Sequence, residues 1–153
     1  MRGLPPPWAA AVLAVGLATM LAGPAPAAED VTGALLAEVN AVRAAQGRAP
    51  LEPDAALARA AAGHADALVA SGSFSHLGPD GSSLADRLDR AGYGPCRAAE
   101  NLARGQAGPT EVVGDWLGSR GHRRNLLHPE LTELGAARGA GDLWVLVMGR
   151  PGC

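Results

Sequence analysis

Beyond its first two dozen residues, this chain repeats apolar residues every three or four positions and gathers them into an unbroken run only near its end. From Val31 to Ala45, the residues Leu35, Leu36, Val39 and Val42 form one helical stripe, with Gly47 placed to stop it. Asp54 is suited to cap a second helix, in which Leu57, Ala61, His64 and Leu68 keep the same spacing until Gly72. Leu84, Leu88 and Ala91 predict a third, short helix ended by Gly92 and Gly94. Thr110 is the expected cap of a fourth helix carrying Val112, Val113 and Trp116, and Ser119 of a fifth helical turn running to Leu127 before Pro129.

Extended patterns fill the remainder. Glu100 to Ala103 is short and partly apolar, compatible with a strand. Leu131 to Arg138 and Leu143 to Met148, separated by Gly139-Ala140-Gly141-Asp142, read as a β-hairpin whose second arm is almost wholly apolar and therefore central in its sheet. Helices on both sides of such a sheet make a three-layer α/β/α sandwich, class α/β. Pro79-Asp80-Gly81 in "FSHLGPDGSS" predicts a tight turn that brings His76 to the surface.

The first residues bear on compartment. A short positive start at Met1-Arg2, an uncharged apolar run from Trp8 to Leu21 and small residues at Ala25 and Ala27 predict a signal peptide over residues 1–27, cut after Ala27. A membrane anchor is the competing reading, but the run is shorter than the roughly 20 residues needed to cross a bilayer and meets Pro24 and Pro26. Residues 28–153 then suffice for a single domain with one core. The expected location is secreted or extracellular, with no membrane span after cleavage. In that compartment the two cysteines, Cys96 and Cys153, read as a disulfide rather than a redox motif, two buried thiols being the alternative.

Charge narrows the partners. Thirteen basic residues, all arginine, stand against fifteen carboxylates for a net charge of −2, and Arg120, Arg123 and Arg124 are the only dense basic cluster. Nucleic acid is excluded as a partner on this balance.

Four histidines are the main candidates for chemistry. His64 lies on an apolar stripe and reads as a hydrogen-bonded core residue; His128 precedes Pro129 at a helix end, where an imidazole can meet free carbonyls. His76 and His122 fall beside glycine-containing breaks, where a side chain can face a cleft or simply solvent. No His-x-x-x-His or Cys-x-x-Cys spacing offers a ready metal site, and no Gly-x-Ser-x-Gly elbow marks a serine nucleophile.

Several segments, in order and spacing, resemble one family. "LLAEVNAVRAAQGRAPLEPDAALARAAAGHADAL", "FSHLGPDGSSLADRLDRAGY", "AENLARG", "VVGDWLGSRGHRRNLLHPELTELG" and "WVLVMG" are similar to bacterial secreted CAP domains, the sperm-coating-protein-like superfamily of cysteine-rich secretory, antigen 5 and pathogenesis-related 1 proteins. The resemblance spans about residues 33 to 149 and implies an α/β/α sandwich of the CAP type. It implies a cleft holding His76, Glu100, Ser119 and His122, with Phe74 packed inward and the Pro79-Asp80-Gly81 turn behind His76. Ala99 replaces the glycine of the usual "GEN", and Ser119 stands where animal members carry a second acid. It also places the strands flanked by Cys96 and Cys153 in one sheet. The family's associations imply a binding or interaction module for a lipid, a cell-wall component or a protein. The alternative is a divalent-metal-assisted, peptidase-like hydrolase in which His76, Glu100 and His122 hold a cation such as zinc.

Overall fold

The computed structural model describes Gly23 and residues 25–153, so the apolar run expected to form a signal segment lies outside the described residues. In chain order the elements are β1 (Glu29–Asp30), α1 (Thr32–Ala45), β2 (Glu52–Pro53), α2 (Ala55–Ser71), α3 (Leu84–Arg90), β3 (Pro95–Arg104), α4 (Pro109–Gly118), α5 (Arg120–Leu126), β4 (Glu133–Gly139) and β5 (Leu143–Pro151). The main path of the sheet is β1-β4-β5-β3, with β2 pairing in parallel to β4. β4 and β5 form the expected antiparallel hairpin, and β5 is central. Gly141 and Asp142 turn it at positive φ, Asp142 being the one non-glycine residue in that region among the described residues.

Alternation along β5 explains the layers. Leu143, Val145 and Val147 pack into a core with Leu57, Ala61 and Leu68 of α2 and Leu88 of α3. Trp144, Leu146 and Met148 point the other way, toward Leu35 and Val39 of α1, Val112 and Trp116 of α4 and Leu126 of α5. Each face of the sheet therefore meets its own helical layer, giving the three-layer α/β/α sandwich.

Two close approaches depend on glycine. A Cβ on Gly135 of β4 would lie 2.0 Å from the backbone nitrogen of Ala58, so α2 rests directly on the strand. A Cβ on Gly149 would lie 2.5 Å from the Tyr93 hydroxyl, which donates a 2.6 Å hydrogen bond to Glu133.

Local signals resolve in different ways. Asp54 caps α2, accepting a 2.8 Å bond from the Leu57 amide. α3 has a full capping box between Ser83 and Asp86. Thr110 does not cap α4: Gly108 is the N-cap, Pro109 opens the helix, and the Thr110 hydroxyl donates to Glu38 at 3.0 Å. β3 is ten residues long rather than four, because nearly its whole length pairs with β5. Cys96 and Cys153 form a disulfide with Cα atoms 4.8 Å apart, inside the span such a bridge requires. It joins the start of β3 to the chain just beyond β5, at a register shift between Pro95 and Arg97.

Candidate functional site

Alternation in β3 sends Ala98, Glu100 and Leu102 toward α2 and α3, and Asn101 toward α4 and α5. Two adjacent residues of one strand thus serve both layers. Asn101 donates to the His122 carbonyl at 3.2 Å and accepts from Asn125 at 2.9 Å, while Asn125 also donates to the Glu100 carbonyl at 3.4 Å. These bonds fix the helix carrying His122 against the strand carrying Glu100.

The Glu100 side chain is only 3% exposed, and a carboxylate so buried needs partners for both oxygens. Its Oε2 accepts from Arg87 Nη2 at 2.7 Å, and its Oε1 from His76 Nδ1 at 2.8 Å. Arg87 also donates through Nη1 to the carbonyls of His76 and Ser82, at 3.1 and 3.0 Å. The guanidinium therefore holds both the carboxylate and the segment that presents His76. Its place in the sequence, between Leu84 and Leu88 on the buried side of α3, was the available signal for a charge turned inward.

His64 reaches the same carboxylate from α2. Its Nε2 donates to the Ser75 carbonyl at 3.0 Å and lies 3.9 Å from Glu100 Oε1. The side chain is a hydrogen-bonded core histidine, as its stripe predicts, but it stands against Glu100 and braces the loop that carries His76. Burial lowers its pKa more than the Glu100 charge raises it, so the ring is neutral at pH 7. The nearby charge of Arg87 lowers that pKa further.

His76 is oriented rather than enclosed, with its side chain 61% exposed. Because Nδ1 donates to Glu100, Nε2 faces outward with a lone pair in the neutral ring. His122 is partly buried; desolvation, and secondarily the nearby charge of His76, hold its pKa below the usual histidine range. Ser119 is the half-buried N-cap residue of α5, and no hydrogen bond links its hydroxyl to His76, Glu100 or His122. Phe74 does not pack inward: it is 52% exposed under the Arg104 guanidinium, 5.3 Å from its ring centroid. Leu77 is 58% exposed, and these two are the exposed large hydrophobic residues among the described ones. Both belong to the segment that turns His76 outward, which keeps their side chains off the core. His128 meets no free carbonyl either; its Nδ1 accepts from the Glu130 amide, while Arg43 takes the His128 carbonyl at 3.1 Å.

A family model described as the cysteine-rich secretory protein family, CAP, matches residues 36–147. The chain belongs to that family. Protein YkwD of Bacillus subtilis is 36% identical over 106 residues, which are 69% of this chain and 41% of YkwD. The chain thus spans less than half the length of that relative. The crystal structure of an extracellular SCP-domain protein from Bacillus anthracis superposes with a TM-score of 0.72 at 30% identity, covering 76% of this chain and 39% of that one. An outer surface protein of Borrelia burgdorferi gives 0.70 at 22% identity over 77% of this chain and 90% of its own, a likeness of fold.

A cation held by His76, Glu100 and His122 does not fit this CAP domain. Both carboxylate oxygens are engaged, one by a full guanidinium charge at 2.7 Å, and His76 spends Nδ1 on the other. A divalent ion at Glu100 would face Arg87 at contact range with no second carboxylate to offset the repulsion. Among the described residues no three His, Cys, Asp or Glu side chains gather as a metal site.

Proposed function

We propose that this CAP domain is an exported binding module, and that its recognition surface is the rim formed by Phe74, His76 and Leu77 beside His122. The observation that carries the reading is the exposure of Phe74 and Leu77 on either side of an imidazole held in one orientation by Glu100. Two large apolar side chains left in water beside a fixed hydrogen-bonding group offer a contact surface. The ligand presents an apolar group together with a donor for His76 Nε2. Glu100 and Arg87 act from below by fixing the ring; they do not touch the ligand.

Export rests on the segment Met1–Ala27 as a cleaved signal, with Ala28 as the first mature residue, and agrees with the extracellular description of the Bacillus anthracis protein. No helix among the described residues is long and apolar enough to cross a membrane. The partner classes are a cell-wall component, a lipid surface or a protein. Hydrolysis assisted by a metal finds no support at Glu100.

Sedimentation of the purified domain with isolated bacterial cell walls, and separately with lipid vesicles, tests the reading. The F74S/L77S double variant should lose about tenfold or more of whichever binding the parent shows, because two exposed anchors are removed. Its thermal unfolding should be unchanged, since neither side chain is in the core. Equal binding by parent and variant in both arms would reject the rim as the recognition surface.

A further inference from the structure

The chain meets α2 just before its first strand begins. Ala28 stands one residue ahead of the β1–β4 pairing, which starts at Glu29 opposite Arg138, and it packs against the core between α2 and the sheet. Its backbone nitrogen donates to Asp66 Oδ1 of α2 at 2.7 Å. Ala25, Pro26 and Ala27 before it are exposed. Asp66 is without a cation: among the described residues no arginine or histidine side chain pairs with it. One turn to either side on α2, Ala62, Gly63, Val69 and Ala70 carry no charge.

The expected signal cut falls on the bond to this nitrogen. While Ala27 is attached, the nitrogen is an amide with one hydrogen and no charge. Hydrolysis breaks the C–N bond between Ala27 and Ala28. The water oxygen joins the Ala27 carbonyl carbon, which leaves as a carboxylate, and both water protons end on the nitrogen, giving an ammonium with three donors. Ala28 then needs no movement to make a charge-assisted bond, because 2.7 Å already lies at the short end of the range for an ammonium and a carboxylate. The neighbouring charges do not compete for either group. Arg138 of β4 is paired with Asp142, Asp30 Oδ1 accepts from the Thr32 amide at 2.8 Å, and Glu29 is exposed.

We infer that removal of the signal creates an ion pair between the new α-ammonium of Ala28 and Asp66, which fastens the first strand to α2. The inference rests on the export reading, with the cut after Ala27, and the pair exists only in the processed chain. β1 joins the sheet through two residues, a short hold for a chain end, and the ion pair closes that end against α2. An aminopeptidase has to bind a free α-amine, so the engaged amine also protects the mature chain from trimming at its first residue.

No lysine occurs in the sequence, so the α-amine is the one primary aliphatic amine of the mature chain and its acetylation can be followed without interference. In the chain beginning at Ala28, acetic anhydride near pH 7 should modify the amine about threefold more slowly than in Asp66→Asn, as expected if an exposed ion pair raises the amine pKa by about half a unit above the ordinary 7.7 to 8.0. Above about pH 9.5 the two rates should converge, because the amine is then neutral in both. Asp66 is exposed, and its replacement by asparagine keeps the fold. A chain that retains Ala25, Pro26 and Ala27 carries its amine three residues away, and there Asp66→Asn should leave the rate unchanged. Equal rates for parent and Asp66→Asn in the chain beginning at Ala28, or an equal effect of the substitution in the longer chain, would overturn the ion pair while leaving export intact. Secreted protein whose intact mass does not correspond to Ala28–Cys153 would instead overturn the export boundary, and the pair with it.

Discussion

Two imidazoles approach the same oxygen of Glu100 and end in opposite states. His76, on a loop and 61% exposed, donates to it at 2.8 Å; His64, in a helix and wholly buried, stands 3.9 Å away and gives its proton to a backbone carbonyl instead. Their separate environments, rather than the shared carboxylate, decide what each ring does. The buried ring is structural material that positions a loop, while the exposed ring is free to meet something else. Arg87 makes the division possible, since its guanidinium holds the other oxygen of Glu100 at 2.7 Å.

Removing that guanidinium is the most severe way to break the contrast. Arg87→Ala would leave a buried carboxylate without its cation and should cost about 3 to 5 kcal/mol of stability, measured by urea unfolding. A loss below about 1 kcal/mol would mean that His64 or His76 takes the charge instead, and the two rings would no longer be distinct.

Reducing the Cys96–Cys153 bridge tests whether the contrast depends on the strand's attachment. The loss should be about 2 to 4 kcal/mol in unfolding free energy. The His76 imidazole signals should be unchanged in the folded reduced protein; a shift there would show that the bridge, and not Arg87, sets the geometry of Glu100.

Substituting the rings one at a time sharpens the comparison. His64→Ala loses a buried hydrogen bond and packing and should cost about 1 to 3 kcal/mol. His64 also predicts a pH effect with a definite sign. Its folded pKa lies below the unfolded value, so below about pH 6.5 the unfolded chain binds more protons than the folded one, and stability falls as pH falls through that window. His122, lowered for the same reason, contributes in the same direction. His64→Leu should flatten the decline between roughly pH 7 and 5, and a variant profile parallel to the parent's would refute the assignment. His76→Ala is the smallest effect, within about 1 kcal/mol, because Arg87 remains on Glu100 and the ring is mostly in water.

The same division governs what could be read from the sequence. Leu35 and Val39 of α1, the stripe of α2 and the apolar run of β5 were legible because burial against a single sheet imposes a period on the chain. β3 was legible only in part. Arg97 and Ala98 have little strand character of their own, and they are held extended by pairing with β5. At the site, the resemblance supplied Glu100 and His76, which the structure joins. Arg87 and His64 escaped as partners of Glu100, because their contacts cross between elements 13 and more residues apart and leave no local pattern. Phe74 ran the other way: the resemblance implied inward packing, and the loop leaves the ring exposed against Arg104.

The disulfide also bears on where this domain can come apart. β3 is an edge of the sheet, paired only with β5 on the main path, and edge strands are ordinarily the first to fray. Here the end of β3 that carries Cys96 is covalently tied to the tail of β5, so unzipping has to start from the opposite end, near Arg104 and Leu143. To reach Glu100 it must first break the pairs at Ala103, Leu102 and Asn101, two of them buried on opposite faces against Trp116 and Leu68. A protease that cuts whatever opens therefore meets the strand bearing the carboxylate only from its Arg104 end, with those buried pairs in the way.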